Sequence, residues 1–159
     1  MSKVLATPII HSQLTHVSTF EVEVPKDFTL DRCPRTYFKH WDRAITDAHF
    51  PHSSLIPGRE YAAEVYQHNC DMVSQSLVDI GLANKRVLVG ARGGALLGSR
   101  YREKLPINKW VVFIDEEEYL LRDHHALVPH DDSNRCLCLD CWEVSWLKGA
   151  FTVFFRELP

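Results

Sequence analysis

The sequence predicts one domain of the α/β or α+β class over residues 1–159, with a mixed sheet, one βαβ unit and a C-terminal β-hairpin. The 159 residues are 45% hydrophobic and 25% charged, which suits a globular domain with a real core. Residues 85–115 follow the order strand, glycine turn, helix, strand. Extended apolar runs lie near both ends of the chain, and helical spacing dominates its middle. Helices are therefore expected on one or both faces of a sheet.

The first fifty residues are predicted to form two extended segments and then a helix. Val4–Ile10 is apolar, and Phe20–Val24 alternates apolar with acidic residues, which predicts a half-buried strand that ends at Pro25. From Pro34 to about Phe50, apolar residues recur with the 3.6-residue helical period. The stripe consists of Tyr37, Phe38, Trp41, Ala44, Ile45 and Ala48.

A second, longer helix is predicted from Arg59 or Glu60 to Ile80, with Gly81 as its C-terminal stop. The βαβ unit comes next. Its elements are a strand at Arg86–Val89, a turn at Ala91–Gly94, a helix at Ala95–Leu105 and a strand at Trp110–Ile114. A parallel strand pair is expected across this unit.

The C-terminal quarter is predicted to be extended. Cys136–Leu139 alternates in the manner of a strand, and Ala150–Leu158 is apolar, β-branched and aromatic. Lys148–Gly149 reads as the turn of a hairpin between the last strands.

Composition narrows the classes of function. The net charge is −3, so no basic excess exists to hold a nucleic-acid backbone, and general nucleic-acid binding is not expected. No signal peptide or membrane span is recognisable, and the number of cysteines is odd, at five. These features predict an intracellular, cytoplasmic protein with reduced thiols or metal ligands.

The glycine turn is the first candidate site. Gly93 and Gly94 allow a close backbone approach, and the following helix would point free N–H groups at a ligand. Arg92 adds a charge suited to phosphate, and Ser99 and Arg100 are expected one turn further on. These five residues predict binding of a small anionic ligand bearing phosphate or carboxylate. The alternative is a glycine pair that only allows a helix to pack closely on a sheet.

This segment resembles the phosphoribosyltransferases. Val87–Leu97 is similar to the family's strand, Arg-Gly-Gly-like loop and helix, where the resemblance implies a contact with pyrophosphate. Val111–Ile114, followed by Asp115 and Glu116, is similar to the start of the family's second motif. The chain then departs from the family, because Glu117–Leu120 stands where a Thr/Gly-rich phosphate loop is expected.

Cys70 is the second candidate. Asn69-Cys70, followed by an apolar helix, resembles the nucleophile segment of the NlpC/P60, papain-like cysteine hydrolases and their permuted relatives, which include acyltransferases. The resemblance implies a thiolate activated at a helix N-terminus, with His125 as the base, or an upstream histidine such as His40 in a permuted arrangement. If the predicted helix runs through Cys70, the residue is instead a small core side chain.

Cys136, Cys138 and Cys141 place three soft ligands within six residues. Zinc usually takes four thiolate or imidazole ligands, and His130 or His125 could supply the fourth, with Cys33 as a more distant alternative. The alternative is a buried strand, because cysteine is often buried without a function.

Three classes of function follow from the sequence. The first is an anion-binding α/β domain, the second is a Cys70-dependent hydrolase or acyltransferase, and the third is a non-catalytic interaction or inhibitor protein of viral or mobile-element origin. The expected partners are an anionic small molecule or another protein.

Overall fold

The computed structural model describes residues 7–35, 38–106, 109–116, 125–130, 136–141 and 145–159. For residues 125–130, 136 and 138–141 the description covers the backbone alone. The strands are β1 Leu14–Glu23, β2 His40–Trp41, β3 Glu60–His68, β4 Met72–Val73, β5 Val87–Leu88, β6 Val111–Val112, β7 His125–His130, β8 Cys136–Cys141, β9 Ser145–Trp146 and β10 Phe151–Glu157. The α-helices are α1 Ser74–Ala83 and α2 Gly90–Arg100, and a short 3-10 helix follows at Arg102–Lys104.

The main sheet is centred on β3 and β10. β1 pairs with β3, and β3 pairs with β10, both antiparallel. β3 is buried along nearly its whole length, because it has a strand on each side and core on both faces. β1 lies at the edge and alternates between buried and exposed residues after its first position, as its sequence predicts.

The two strands of the βαβ unit both join the free side of β10. β6 pairs with its first half in parallel, and β5 pairs with its second half in antiparallel orientation. The parallel pair expected across the unit is therefore wrong, since the observed one joins β6 to β10. The carboxyl ends of β5 and β6 point toward each other along β10.

The core fills both faces of this sheet. Alternate residues of β3 and β10 belong to two different buried clusters. One cluster includes α2 together with residues 30–55, and this side is called the α2 face. The other includes α1 together with Ile9, Met72 and Trp146, and this side is called the α1 face. A smaller sheet combines β2, β8 and β7, and β4 pairs separately with β9.

The helix predicted from Pro34 to Phe50 is wrong. This part of the chain has turns and the short strand β2, and residues 36–37 lie outside the described part. The apolar stripe is real, because Phe38, Ile45 and Phe50 are buried on the α2 face. Asp42 accepts hydrogen bonds from backbone amides in place of helical bonds, as short polar side chains often do in turns.

The helix predicted from Arg59 to Ile80 is also wrong up to Val73, because β3, a turn and β4 occupy this part of the chain. A continuous apolar run fits a buried strand as well as a helix, and pairing with β1 and β10 selects the strand. Only α1 is helical, and it continues past Gly81 to Ala83. Gly81 is needed for packing, because a methyl group there would lie 2.7 Å from the Phe154 ring.

The predicted fold class is confirmed as an α+β domain with a mixed sheet. Its C-terminal part contains the antiparallel strand pair β7–β8. The turn predicted at Lys148–Gly149 is present, with Gly149 at φ +89°, while β9 and β10 on its two sides bond to β4 and β3. Within the described residues, no helix is both long enough and apolar enough to cross a lipid bilayer.

Candidate functional site

The predicted glycine turn lies inside a helix. Ala91–Gly94 forms the first turn of α2, and the residue with a left-handed backbone is Gly90, at φ +59°. Gly93 is buried against Val89 and Leu55, and a methyl group at Gly93 would overlap the Val89 side chain. At Gly93 the close-packing alternative is therefore correct, and the strand-to-helix turn is made one residue earlier than the sequence suggests.

Asp115 occupies the beginning of α2. The Gly90 amide donates to the Ile114 carbonyl at 3.0 Å, and a methyl group at Gly90 would overlap the Asp115 carboxyl. Asp115 is only 4% exposed. Burial raises the pKa of Asp115 to about 7. The hydrogen bond from the Glu116 amide lowers this pKa, whereas the negative charge of the Glu116 side chain raises it. The space where an external anion was expected thus holds an internal carboxyl.

Arg92 makes an internal ion pair. Its Nη2 lies 3.4 Å from Asp47 Oδ1, and Asp47 also accepts the amides of Leu30 and Asp31. Burial alone would raise the pKa of Asp47, but the amides of Asp31 and Leu30 and the Arg92 charge hold it below its ordinary value. Arg92 Nε is buried without a hydrogen-bond partner among the described residues. Arg92 therefore ties residues 30–47 to α2.

Ser99 and Arg100 do not join Arg92 in one site. The buried Ser99 hydroxyl donates to the Leu96 carbonyl and accepts from the Cys33 thiol. Arg100 is exposed at the last residue of α2, which is about 12 Å along the helix axis from Arg92. The five residues predicted to bind one anion are spread along the helix.

Cys70 lies in the turn between β3 and β4, four residues before α1 begins. It is partly exposed and packs on the α1 face, so it is neither at the first residue of a helix nor within one. Asn69 fixes this turn, because it bonds to Thr15 Oγ1 and to the backbone of Ser12 and Gln13.

His68 is the histidine nearest to Cys70 in sequence. Its Nε2 is hydrogen-bonded to Thr152 Oγ1, whereas its Nδ1 is buried without a partner in the described part of the chain. Burial lowers the pKa of His68 to about 4, so it is neutral at pH 7. Trp41 packs on the α2 face and Cys70 on the α1 face, which separates the His40 strand from the thiol.

The remaining sequence candidates lie on the β7–β8 pair. The backbone register places His125 opposite Cys141 and His130 opposite Cys136. The side chains of these residues, and that of Cys138, lie outside the described part, so the assignment of His125 as a base and the zinc hypothesis stay predictions. Among the side chains that the structure describes, no group of three or more His, Cys, Asp or Glu could hold a metal ion.

A buried ionic cluster, which the sequence reading missed, lies on the α1 face. Glu64, at 1% exposure on β3, accepts from Arg86 Nε at 2.7 Å, Arg156 Nε at 2.9 Å and the Tyr66 hydroxyl at 2.7 Å. Burial would raise the pKa of Glu64, but the bonds from Arg86, Tyr66 and Arg156 outweigh it and lower the pKa. The sequence does contain a signal for this cluster, because a carboxylate within the apolar run Tyr61–Tyr66 would need a buried partner.

Three exposed apolar residues lie on segments near one end of the main sheet. Here β3 ends and β1, β6 and β10 begin. Val73 is 49% exposed, Trp110 45% and Leu147 66%, and these three residues define the apolar end surface. Cys70 lies in the turn next to it.

Comparison of the chain with protein-family models, with curated proteins and with solved structures found no match.

Proposed function

We propose that this chain is an interaction domain that binds another protein through the apolar end surface. The observation that carries the proposal is the exposure of Val73, Trp110 and Leu147 on segments near the same end of the main sheet. Single exposed apolar residues are common on proteins, but a contiguous group of large ones is typical of interfaces. Tryptophan is also enriched among residues that dominate binding energy.

Backbone contacts support the view that these residues form one surface. The Phe151 amide donates to the Trp110 carbonyl at 2.8 Å, and the Ala150 amide donates to the Leu147 carbonyl at 3.1 Å. Val73 pairs with Ser145, two residues before Leu147. The segments of Trp110 and Leu147 therefore bond to the chain at the start of β10, and the segment of Val73 pairs with the strand that precedes Leu147.

The segments under this surface are fixed by hydrogen bonds. The Lys148 amide donates to Asp71 Oδ1 at 2.8 Å, which ties the turn before β4 to the turn before β10. The Trp146 indole N–H donates to the buried Ser74 hydroxyl at 3.2 Å. A surface held in this way loses little conformational entropy on binding, which favours affinity.

The test compares Leu147→Asp with Leu82→Asp. Leu82 is 46% exposed near the end of α1, outside the apolar end surface, and so provides a matched control. Proteins captured from cells by the wild-type chain are purified and titrated against each variant by calorimetry. We expect Leu147→Asp to weaken binding by about tenfold or more, and Leu82→Asp to leave it unchanged.

Analytical ultracentrifugation of the same proteins shows whether the partner is a second copy of the chain. Cys70 gives an independent readout, because its partial exposure beside the surface should allow alkylation that a bound partner slows. Equal binding by the two variants, with unchanged alkylation of Cys70, would contradict the proposal.

Anion binding at Arg92 is a second candidate, favoured by the buried Arg92 Nε that lacks a partner in the described residues. Asp47→Asn should release Arg92 from its ion pair. Phosphate and pyrophosphate should then raise the melting temperature of Asp47→Asn more than that of wild type. The same shift in a protein that also carries Arg92→Gln would exclude Arg92 as the anion ligand.

A further inference from the structure

Residues Thr7–Ile10, here called the strap, cross the α1 face before β1 begins. The Thr7 carbonyl accepts from Arg86 Nη2 at 3.0 Å, and the Ile9 amide donates to the Tyr66 hydroxyl at 2.9 Å. Ile9 is 4% exposed within the α1-face core, whereas Ile10 is 88% exposed. The strap is thus held by two backbone hydrogen bonds and one buried side chain.

The two bonds have the spacing of an extended peptide. The carbonyl of one residue and the amide of the residue two positions later point to the same side of an extended chain. Between them, Pro8 has no N–H to offer. Arg86 and Tyr66 therefore bind backbone atoms of the strap, which do not depend on its side chains. The pocket that holds Ile9 adds selectivity for an aliphatic side chain.

The polar residues beneath the strap are also held by contacts outside it. Glu64 receives both arginines and Tyr66, and a second arginine bond runs from Arg86 Nη1 to the Asn84 carbonyl at 2.8 Å. These contacts fix the positions of the Arg86 guanidinium and the Tyr66 hydroxyl. Displacement of the strap would expose Arg86 as a preorganised donor, the Tyr66 hydroxyl as a preorganised acceptor and the apolar pocket of Ile9.

We propose that the strap is displaceable and that the groove under it docks an extended segment of a partner protein. The segment carries an aliphatic residue whose amide donates to Tyr66, and a carbonyl two positions earlier that accepts from Arg86. The strap itself shows that the groove accepts such an occupant. This site is separate from the apolar end surface and does not depend on it.

A labelled peptide with the sequence of residues 5–12 is the probe, and fluorescence anisotropy is the measurement. Ile9→Asn in the full chain weakens the strap, and Ile10→Asn is the matched control because Ile10 is exposed. The peptide should bind Ile9→Asn about tenfold or more tightly than it binds Ile10→Asn, since the internal competitor is weakened. A peptide carrying the same Ile9→Asn change should not bind, and adding Tyr66→Phe to the Ile9→Asn chain should weaken binding.

Hydrogen exchange of the wild-type chain tests the same idea without a variant. The Ile9 amide should exchange about 100-fold or more faster than buried amides of β3, because the strap opens by itself. Exchange of Ile9 at the rate of β3 would show that the strap opens only with the whole domain, and would overturn the proposal. Binding of the peptide to neither chain, with Ile9→Asn folded, would also overturn it.

Discussion

Replacing Asp115 with asparagine removes the charge of a buried carboxyl while keeping its shape. The Glu116 amide can still donate to the side-chain oxygen, as it does to Asp115 Oδ1 at 2.9 Å. The contact with Gly90 at the start of α2 is also conserved in size. Any change in stability should therefore report on ionisation rather than on packing.

The expected change in the free energy of unfolding follows from the pKa shift of Asp115. Burial raises the pKa of Asp115 from its ordinary value of 3.8 to about 7. The folded-state pKa is above the unfolded one, so the stabilising effect of the protonated carboxyl is fully present below pH 3.8 and is lost as the pH rises through 7. At about 1.4 kcal/mol for each tenfold change in proton affinity, the loss is about 4 kcal/mol.

The assay is urea denaturation of wild type and Asp115→Asn between pH 4 and pH 8. The two free energies of unfolding should be similar at pH 4, and the variant should become more stable by about 4 kcal/mol at pH 8. Glu116→Gln removes the neighbouring charge that raises this pKa, so it should lessen the pH dependence without abolishing it, because burial is the larger cause. A difference between wild type and Asp115→Asn that does not change with pH would refute the reasoning and show that the carboxyl titrates as if solvated.

Three further predictions concern the α1 face of the sheet, each checked by urea denaturation. Glu64→Gln should lower the free energy of unfolding by about 3–5 kcal/mol, because Arg86 and Arg156 lose their buried counter-charge; a loss below 1 kcal/mol would contradict this. Burial lowers the pKa of His68 from 6.5 to about 4, so the free energy of unfolding of wild type should fall by about 3 kcal/mol relative to that of His68→Gln as the pH falls from 6.5 to 4; a constant difference between the two proteins would contradict this. Gly81→Ala should cost about 1–3 kcal/mol, because its methyl group would press on Phe154; a neutral effect would show that the ring can move.

Patterns of apolar and polar residues within short segments predicted those helices and strands that have one buried and one exposed face. The alternation at Phe20–Val24 identified β1, and the order strand, helix, strand at residues 85–115 is present as β5, α2 and β6. In both cases the signal resides in neighbouring residues. Pairing partners were not predictable in this way, since β10 selects β5 and β6 from positions some 40 to 70 residues away.

β3 shows where local reasoning fails. Its run Tyr61–Tyr66 is buried on both faces, so it lacks the alternation that distinguishes a strand from a helix. The same holds for residues 34–50, where apolar side chains reach the core from turns. In each case contacts with distant segments override a pattern that has helical spacing.

The candidate site was predicted least well, because chemistry depends on which residues meet in space. The sequence placed Arg92, Ser99 and Arg100 near one ligand, but the helix spreads them along its length. It gave no reason to connect Glu64 with Arg86 and Arg156, which are 22 and 92 residues away. The apolar end surface likewise combines segments that are far apart in the sequence.

The central place of β10 has a consequence for how the chain acquires its structure. Both edges of β3 are paired only when residues about 90 positions later are in place. Within the described part of the chain, β10 is also the one strand that pairs with β5 and β6. Such long-range pairing slows folding, because the entropy cost of closing a long loop comes before the favourable energy of the strand contacts. During synthesis, α1 and β1–β3 would leave the ribosome with one edge of β3 bare. This edge of β3 can be paired by β10 only after residues 151–157 have emerged.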